Sequence, residues 1–106
     1  MTVYVDSLYN YGWVVHGQVT PSCHMFTDML DLTELHAIAS QIGMRIEWFQ
    51  NKVSAPHYDL KPDLREAAIK AGAIAVDRRT AALIWRARRA LVKTADDVQS
   101  RPPETS

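Results

Sequence analysis

Two runs of helical periodicity in this chain each stop at a glycine, and each glycine is followed at once by an apolar, strand-like segment. In the first run Leu32, Leu35, Ile38, Ala39 and Ile42 fall on one face, Gly43 closes it, and MRIEWF (44–49) follows. The second opens near Pro62, a residue suited to a first helical position, and carries Leu64, Ala67, Ala68 and Ala71 on a narrow inner face. Gly72 closes it and AIAV (73–76) follows. Helices that alternate with short strands in this way pack as layers around a sheet. TVYV (2–5) supplies a strand at the start, and a third helix runs from about Arg78 to Lys93 behind the cap residue Asp77.

The expected fold class is therefore α/β: one small domain over residues 1–94, with about three mainly parallel strands, right-handed crossovers and three helices. CHMF (23–26) reads either as a fourth short strand or as the end of the preceding loop. Residues 7–22, with Asn10, Gly12, Gly17 and Pro21, read as a long loop or a loose hairpin. Asp31 is placed to cap the first helix, with Glu34 where a capping box has its acid. From Ala95 onward the chain is polar and proline-bearing, so residues 95–106 are expected to form a disordered tail.

A length of 106 residues suits one domain with one core. No apolar run approaches the ~20 residues of a membrane span, and MTVYVDSLYN lacks the pattern of a signal peptide. The single cysteine, Cys23, excludes a disulfide framework within the chain and reads as a buried structural thiol. A cytoplasmic location is the simplest expectation, with no membrane partner. The formal net charge is zero, yet residues 1–60 carry two Lys and Arg against six acids, and residues 61–106 carry ten against six.

In a parallel sheet, ligands gather beyond the carboxyl ends of the strands. That rule brings Asp6, the Trp48–Gln50 corner and the segment SAPHYDLKP (54–62) to one sheet edge. Asp6, His24, Asp28, His57 and Asp59 together offer two imidazoles and three carboxylates, a donor set that suits zinc, manganese or iron. No HExxH or paired CxxC spacing accompanies them. His57 and Asp59 are two apart and point the same way in an extended segment. A phosphate-containing anion is the expected ligand, with metal-assisted phosphoester or nucleotide hydrolysis as the reaction. Asp6, His24 and Asp59 would hold a divalent metal or polarise water, and His57 would exchange protons. Arg65, with the free amides of the second helix, would hold phosphate, and Tyr58, Trp48 and Gln50 would line the ligand. The plainer reading of His57-Tyr58-Asp59 is a capping turn. His36 reads as a core-edge histidine, and Trp13, Trp48 and Trp85 as core or rim.

At 100° per residue, Arg78, Arg79, Arg86, Arg89 and Lys93 share an arc of ~100° on the third helix. Leu83, Ile84, Ala87, Ala90 and Leu91 occupy the neighbouring arc and are expected to face the core. The basic row supports an alternative function, a non-catalytic module that binds nucleic acid or a protein through this helix. A solvated outer face or a contact between copies of the chain explains the row as well.

Several segments carry a family resemblance: VYVD (3–6), CHMFTD (23–28), ELHAIASQIG (34–43), RIEWFQ (45–50), PHYD (56–59) and LREAAIKAGA (64–73). Together they resemble a family of bacterial and phage proteins known as domain of unknown function 4031, from about residue 2 to residue 90. The resemblance implies that the polar landmarks belong to one pattern. It brings no activity with it.

Overall fold

A computed structural model describes residues 3–52 and 55–100. The main sheet has four strands in the order β5-β4-β1-β6. β1 is Val3–Val5, β4 is Cys23–Thr27, β5 is Tyr58–Leu60 and β6 is Ile74–Ala75. Between β1 and β4 stands a small hairpin of β2 (Val14–Val15) and β3 (Gln18–Val19). Its two-residue turn is His16-Gly17, both at positive φ (51° and 78°), the geometry whose twist suits a tight hairpin. Of the two readings for residues 7–22, the hairpin is the one the chain adopts.

Three helices complete the fold: α1 (Thr33–Gln41), α2 (Pro62–Lys70) and α3 (Arg78–Ser100). The α/β class holds, but the expected mainly parallel sheet gives way to a mixed one. β4 runs antiparallel to both β1 and β5, and only β1 and β6 are parallel. CHMF is a strand, and it lies inside the sheet. MRIEWF is not one: Ile46–Trp48 is a single 3-10 turn, closed by Trp48 N–H to Arg45 O (3.0 Å). The edge beside β4 is taken instead by Tyr58–Leu60, within the segment read as a loop. Tyr58 and Leu60 turn inward there and Asp59 turns outward; residues 44–49 alternate in the same way from Met44 to Trp48, so the pattern does not decide which segment takes the edge. Within the apolar segment AIAV, Ala73 is buried, while Ile74 and Ala75 lie exposed on an edge strand. α3 continues to Ser100, past the start of the expected tail, and residues 101–106 lie outside the described residues.

Both helix stops behave as the glycines demand. Gly43 sits at φ 88°, its N–H donating to Ser40 O, while Met44 N–H donates to Ala39 O at 2.8 Å. Gly72 sits at φ 114°, with its own N–H on Ile69 O and Ala73 N–H on Ala68 O at 2.9 Å. Each is a Schellman motif, with both apolar residues of the pair (Ala39 and Met44, Ala68 and Ala73) buried.

The alternation of the strands sorts the molecule into two faces. Val3, Val5, Cys23, Met25, Tyr58 and Leu60 point to α1 and α2 and form the core with Leu35, Ile38 and Ala68. Tyr4, Asp6, His24, Phe26, His57 and Asp59 belong to the opposite face, which α3 partly covers through Trp85 against Phe26. α3 packs through Ala81, Trp85 and Arg88. The arc expected to face the core does not: Leu83 is 57% exposed and Leu91 51% exposed, and Ala87 and Ala90 are exposed as well. The buried face is turned by roughly a third of a helical turn. Arg88 accounts for the difference, since its stem is buried and its Nε donates to Met29 O (3.0 Å), so a residue that reads as surface lies inward. Among the described residues no helix is long and apolar enough to cross a membrane.

Candidate metal centre

The outer face of β4 and β5 brings three donors together. His24 and Asp59 are direct cross-strand partners, and His57 precedes Asp59 by two residues on the same face. His24 Nε2 lies 3.9 Å from Asp59 Oδ1, and His57 Nε2 lies 3.5 Å from the same oxygen. One ligand atom from each residue falls within 4.8 Å of the others. A tetrahedral site with bonds of ~2.1 Å sets its ligand atoms ~3.4 Å apart, so small side-chain movements close this trio on an ion.

The other atom of each ligand is already engaged. His24 Nδ1 stands 2.9 Å from Asp6 Oδ2, and Asp6 Oδ1 accepts the His24 backbone N–H at 2.7 Å. Asp6 is buried, with both oxygens spent on one residue. The ladder between β1 and β4 explains why: the next pair beyond Val5 and Met25 is Asp6 and His24, and the Asp6 side chain extends the ladder by one acceptor. His57 Nδ1 donates to Ala55 O at 2.7 Å. Gln50 Nε2 donates to Asp59 Oδ2, and Gln50 is brought there by a two-bond bridge to the His57 backbone. With Nδ1–H donated in both rings, both Nε2 lone pairs and Asp59 Oδ1 face one another. This is the outer arrangement that fixes tautomer and orientation in histidine metal sites.

The electrostatics agree with a carboxylate-supported imidazole. Burial alone would depress the His24 pKa, but the hydrogen bond to Asp6 and the charges of Asp6 and Asp59 outweigh it, and the net shift is upward. Beside it, burial pushes the Cys23 thiol up to about 12, with the Asp6 charge acting in the same direction. Cys23 is fully buried in the core, as its sequence context suggests.

The structure brings Asp6, His24, His57, Asp59 and Gln50 to one place. The site sits on the sheet face next to the edge strand β5. Trp48 is 51% exposed and lines a neighbouring cleft of about 500 Å³ that also includes Gln50 and Asp59. Tyr58 points the other way: it is 1% exposed, and its hydroxyl meets His36 Nδ1 at 2.8 Å on the core side. Arg65 reaches Asp6 through the backbone, its Nε donating to Asp6 O at 2.9 Å. Asp28 is held by the Tyr4 hydroxyl at 3.1 Å on the far part of β4's end. Arg78, Arg79, Arg86, Arg89 and Lys93 are all exposed on α3, and Arg78 and Arg79 border a cleft that includes Asp6 and His24.

Sequence reasoning missed Tyr11, Trp13 and Lys52. They line a cleft of about 440 Å³ together with His24, Gln50, His57 and Asp59. The available signal was the run of aromatics Tyr9, Tyr11 and Trp13 in a turn-rich segment. Trp85, which reads as core or rim in the sequence, places its ring edge-on to His24 at 5.3 Å.

Neither the curated proteins nor the solved structures contain a match to this chain. The family model that does match covers residues 3–89, and the chain belongs to the family it describes, Protein of unknown function (DUF4031).

Proposed function

We propose that His24, His57 and Asp59 bind one divalent metal ion and that the site hydrolyses phosphoesters. One observation carries this reading: three converging donors, each with its remaining polar atom held by a partner. Two imidazoles and one carboxylate leave coordination positions for water and substrate, the pattern of hydrolytic zinc sites. A metal bound there supplies a more acidic water and a polarised phosphoryl oxygen. Asp6 positions His24, Gln50 positions Asp59, and Lys52 with Arg78 and Arg79 gives the surrounding clefts the positive charge an anionic substrate needs.

The test is a zinc and manganese titration of the metal-stripped chain, followed by assay on bis(p-nitrophenyl) phosphate. Binding of one equivalent is expected, with turnover that a chelator removes. His24→Ala, His57→Ala and Asp59→Ala should each lose at least ~100-fold in metal affinity while keeping the wild-type circular dichroism. A wild-type chain that takes up no stoichiometric metal, or variants that bind as it does, would overturn the proposal. Stoichiometric metal without turnover would leave a binding site and remove the reaction.

A further inference from the structure

The proposed metal-binding trio lines the central one of three clefts that share lining residues. The cleft of about 500 Å³ beside Trp48 shares Trp13, Gln50 and Asp59 with the central one. The central cleft shares Tyr11 and His24 with a third, of about 420 Å³, bordered by Arg78 and Arg79. Each opening alone has the size of a small-ligand site, so three in a row exceed what one small anion fills. Three aromatic side chains stand exposed along this line: Trp48 at 51%, Trp13 at 37% and Tyr11 at 48%. Their exposure is costly to solubility and serves no core. Lys52, Lys61, Arg78 and Arg79 line the same clefts, Lys61 with its Nζ 6.0 Å from the Trp13 ring centroid, and the exposed Arg86, Arg89 and Lys93 continue the positive charge along α3.

We infer that the substrate of this site is single-stranded nucleic acid, laid along the clefts with a phosphodiester at the trio and unpaired bases stacked on Trp48, Trp13 and Tyr11. Aromatic faces interleaved with cations are the recurrent means of holding a single strand without reading its sequence. A duplex keeps its base faces covered and offers nothing for these rings. The inference rests on the proposed hydrolytic centre for its chemistry, but the clefts bind the strand without the metal. Hydrolysis then joins water to the phosphorus and breaks one P–O ester bond, leaving a phosphate monoester end and a hydroxyl end.

The experiment measures fluorescence anisotropy of labelled DNA and RNA oligonucleotides of about twelve nucleotides, with the full chain in EDTA. Metal uptake is titrated separately, so the two proposals fail independently. Binding to a single strand is expected, at least tenfold tighter than to the same sequence as a duplex. Its log–log salt slope should be about −3, from the four cations that line the clefts, Lys52, Lys61, Arg78 and Arg79, at ~0.7 each. Trp13→Ala and Trp48→Ala should each weaken it about fivefold or more, matching the ~1 kcal/mol lower bound for one stacked base. Trp13→Phe, which keeps a stacking face, should restore most of the loss. Metal uptake without strand binding would overturn this inference alone. Equal affinity for duplex, or binding that falls only with Arg86→Glu and Arg89→Glu and ignores the aromatics, would overturn it too. The DNA and RNA arms decide which strand is preferred.

Discussion

At the scale of the residue, Asp6 is the pivot of the site. It touches no proposed ligand atom, yet both its oxygens hold His24, one on the ring and one on the backbone. Asp6→Asn keeps the size and removes the charge. It should weaken metal binding by 10–100-fold, the range for losing such a partner. In the metal-free protein the His24 pKa, which lies above its ordinary 6.5, should fall in this variant when followed by NMR. The sign of the linked stability follows. A histidine whose folded pKa is raised adds stability that is complete below the unfolded value and is lost as pH rises through the folded one. Chelator-treated wild-type protein should therefore lose that increment across this window, and Asp6→Asn should show a flatter profile. Cys23 gives a simpler expectation. A fully buried thiol with a pKa of about 12 should react with alkylating reagents only on unfolding, read as a rate that tracks denaturant. Spacing made the pairing of His57 with Asp59 legible, because two residues apart in an extended segment means one face. It could not reveal that Asp6 meets His24, a contact between residues 18 apart that depends on which strands pair.

At the scale of the element, helix ends were the most legible part of the chain because their chemistry is local. Gly43 and Gly72 mark the stops, and Pro62 marks a start, with no need of tertiary information. Gly43 has open space where a Cβ would stand, so its requirement is one of backbone alone. Gly43→Ala should cost about 1 kcal/mol in chemical denaturation, the penalty of a left-handed residue with a side chain. Gly43→Asn should cost less. Asp77 accepts the Thr80 N–H at 2.7 Å at the start of α3, and the bonds to Thr80 lower its pKa. A depressed carboxylate stabilises above its unfolded value and ceases to as pH falls through the folded one. Helicity of α3 should thus decline in acid, and Asp77→Ala should lack that dependence. Strands were harder to read. Residues 44–49 have the composition of a strand, but pairing needs a vacant edge, and the chain gives that edge to Tyr58–Leu60. The parallel-sheet expectation failed for the same reason: the direction of β4 is set by the hairpin that precedes it, which local propensity does not report.

At the scale of the whole molecule, the two faces of the sheet are unequally supported. The contiguous apolar core lies entirely on the side of α1 and α2. On the other side, α3 is held among the described residues by buried Ala81, by the Trp85 ring against Phe26 (5.0 Å) and His24, and by Arg88 on Met29 O. Elements with few buried apolar contacts open first and without the rest. α3 should therefore exchange its amide protons faster than β1 and β4 under native conditions. Trp85→Ala sharpens the expectation, since it deletes the largest ring between α3 and the sheet. Protection in α3 should drop by at least tenfold while β1 and β4 hold theirs, because the α1–α2 core does not use that ring. The function argued above ties the two sides together: the trio sits on β4 and β5, whereas Arg78 and Arg79 ride on α3. Loosening α3 should then weaken single-strand binding and leave metal affinity within a few-fold of wild type. Equal loss of protection in helix and sheet would mean that the molecule unfolds as one unit, and that the face holding the site is no softer than the core beneath it.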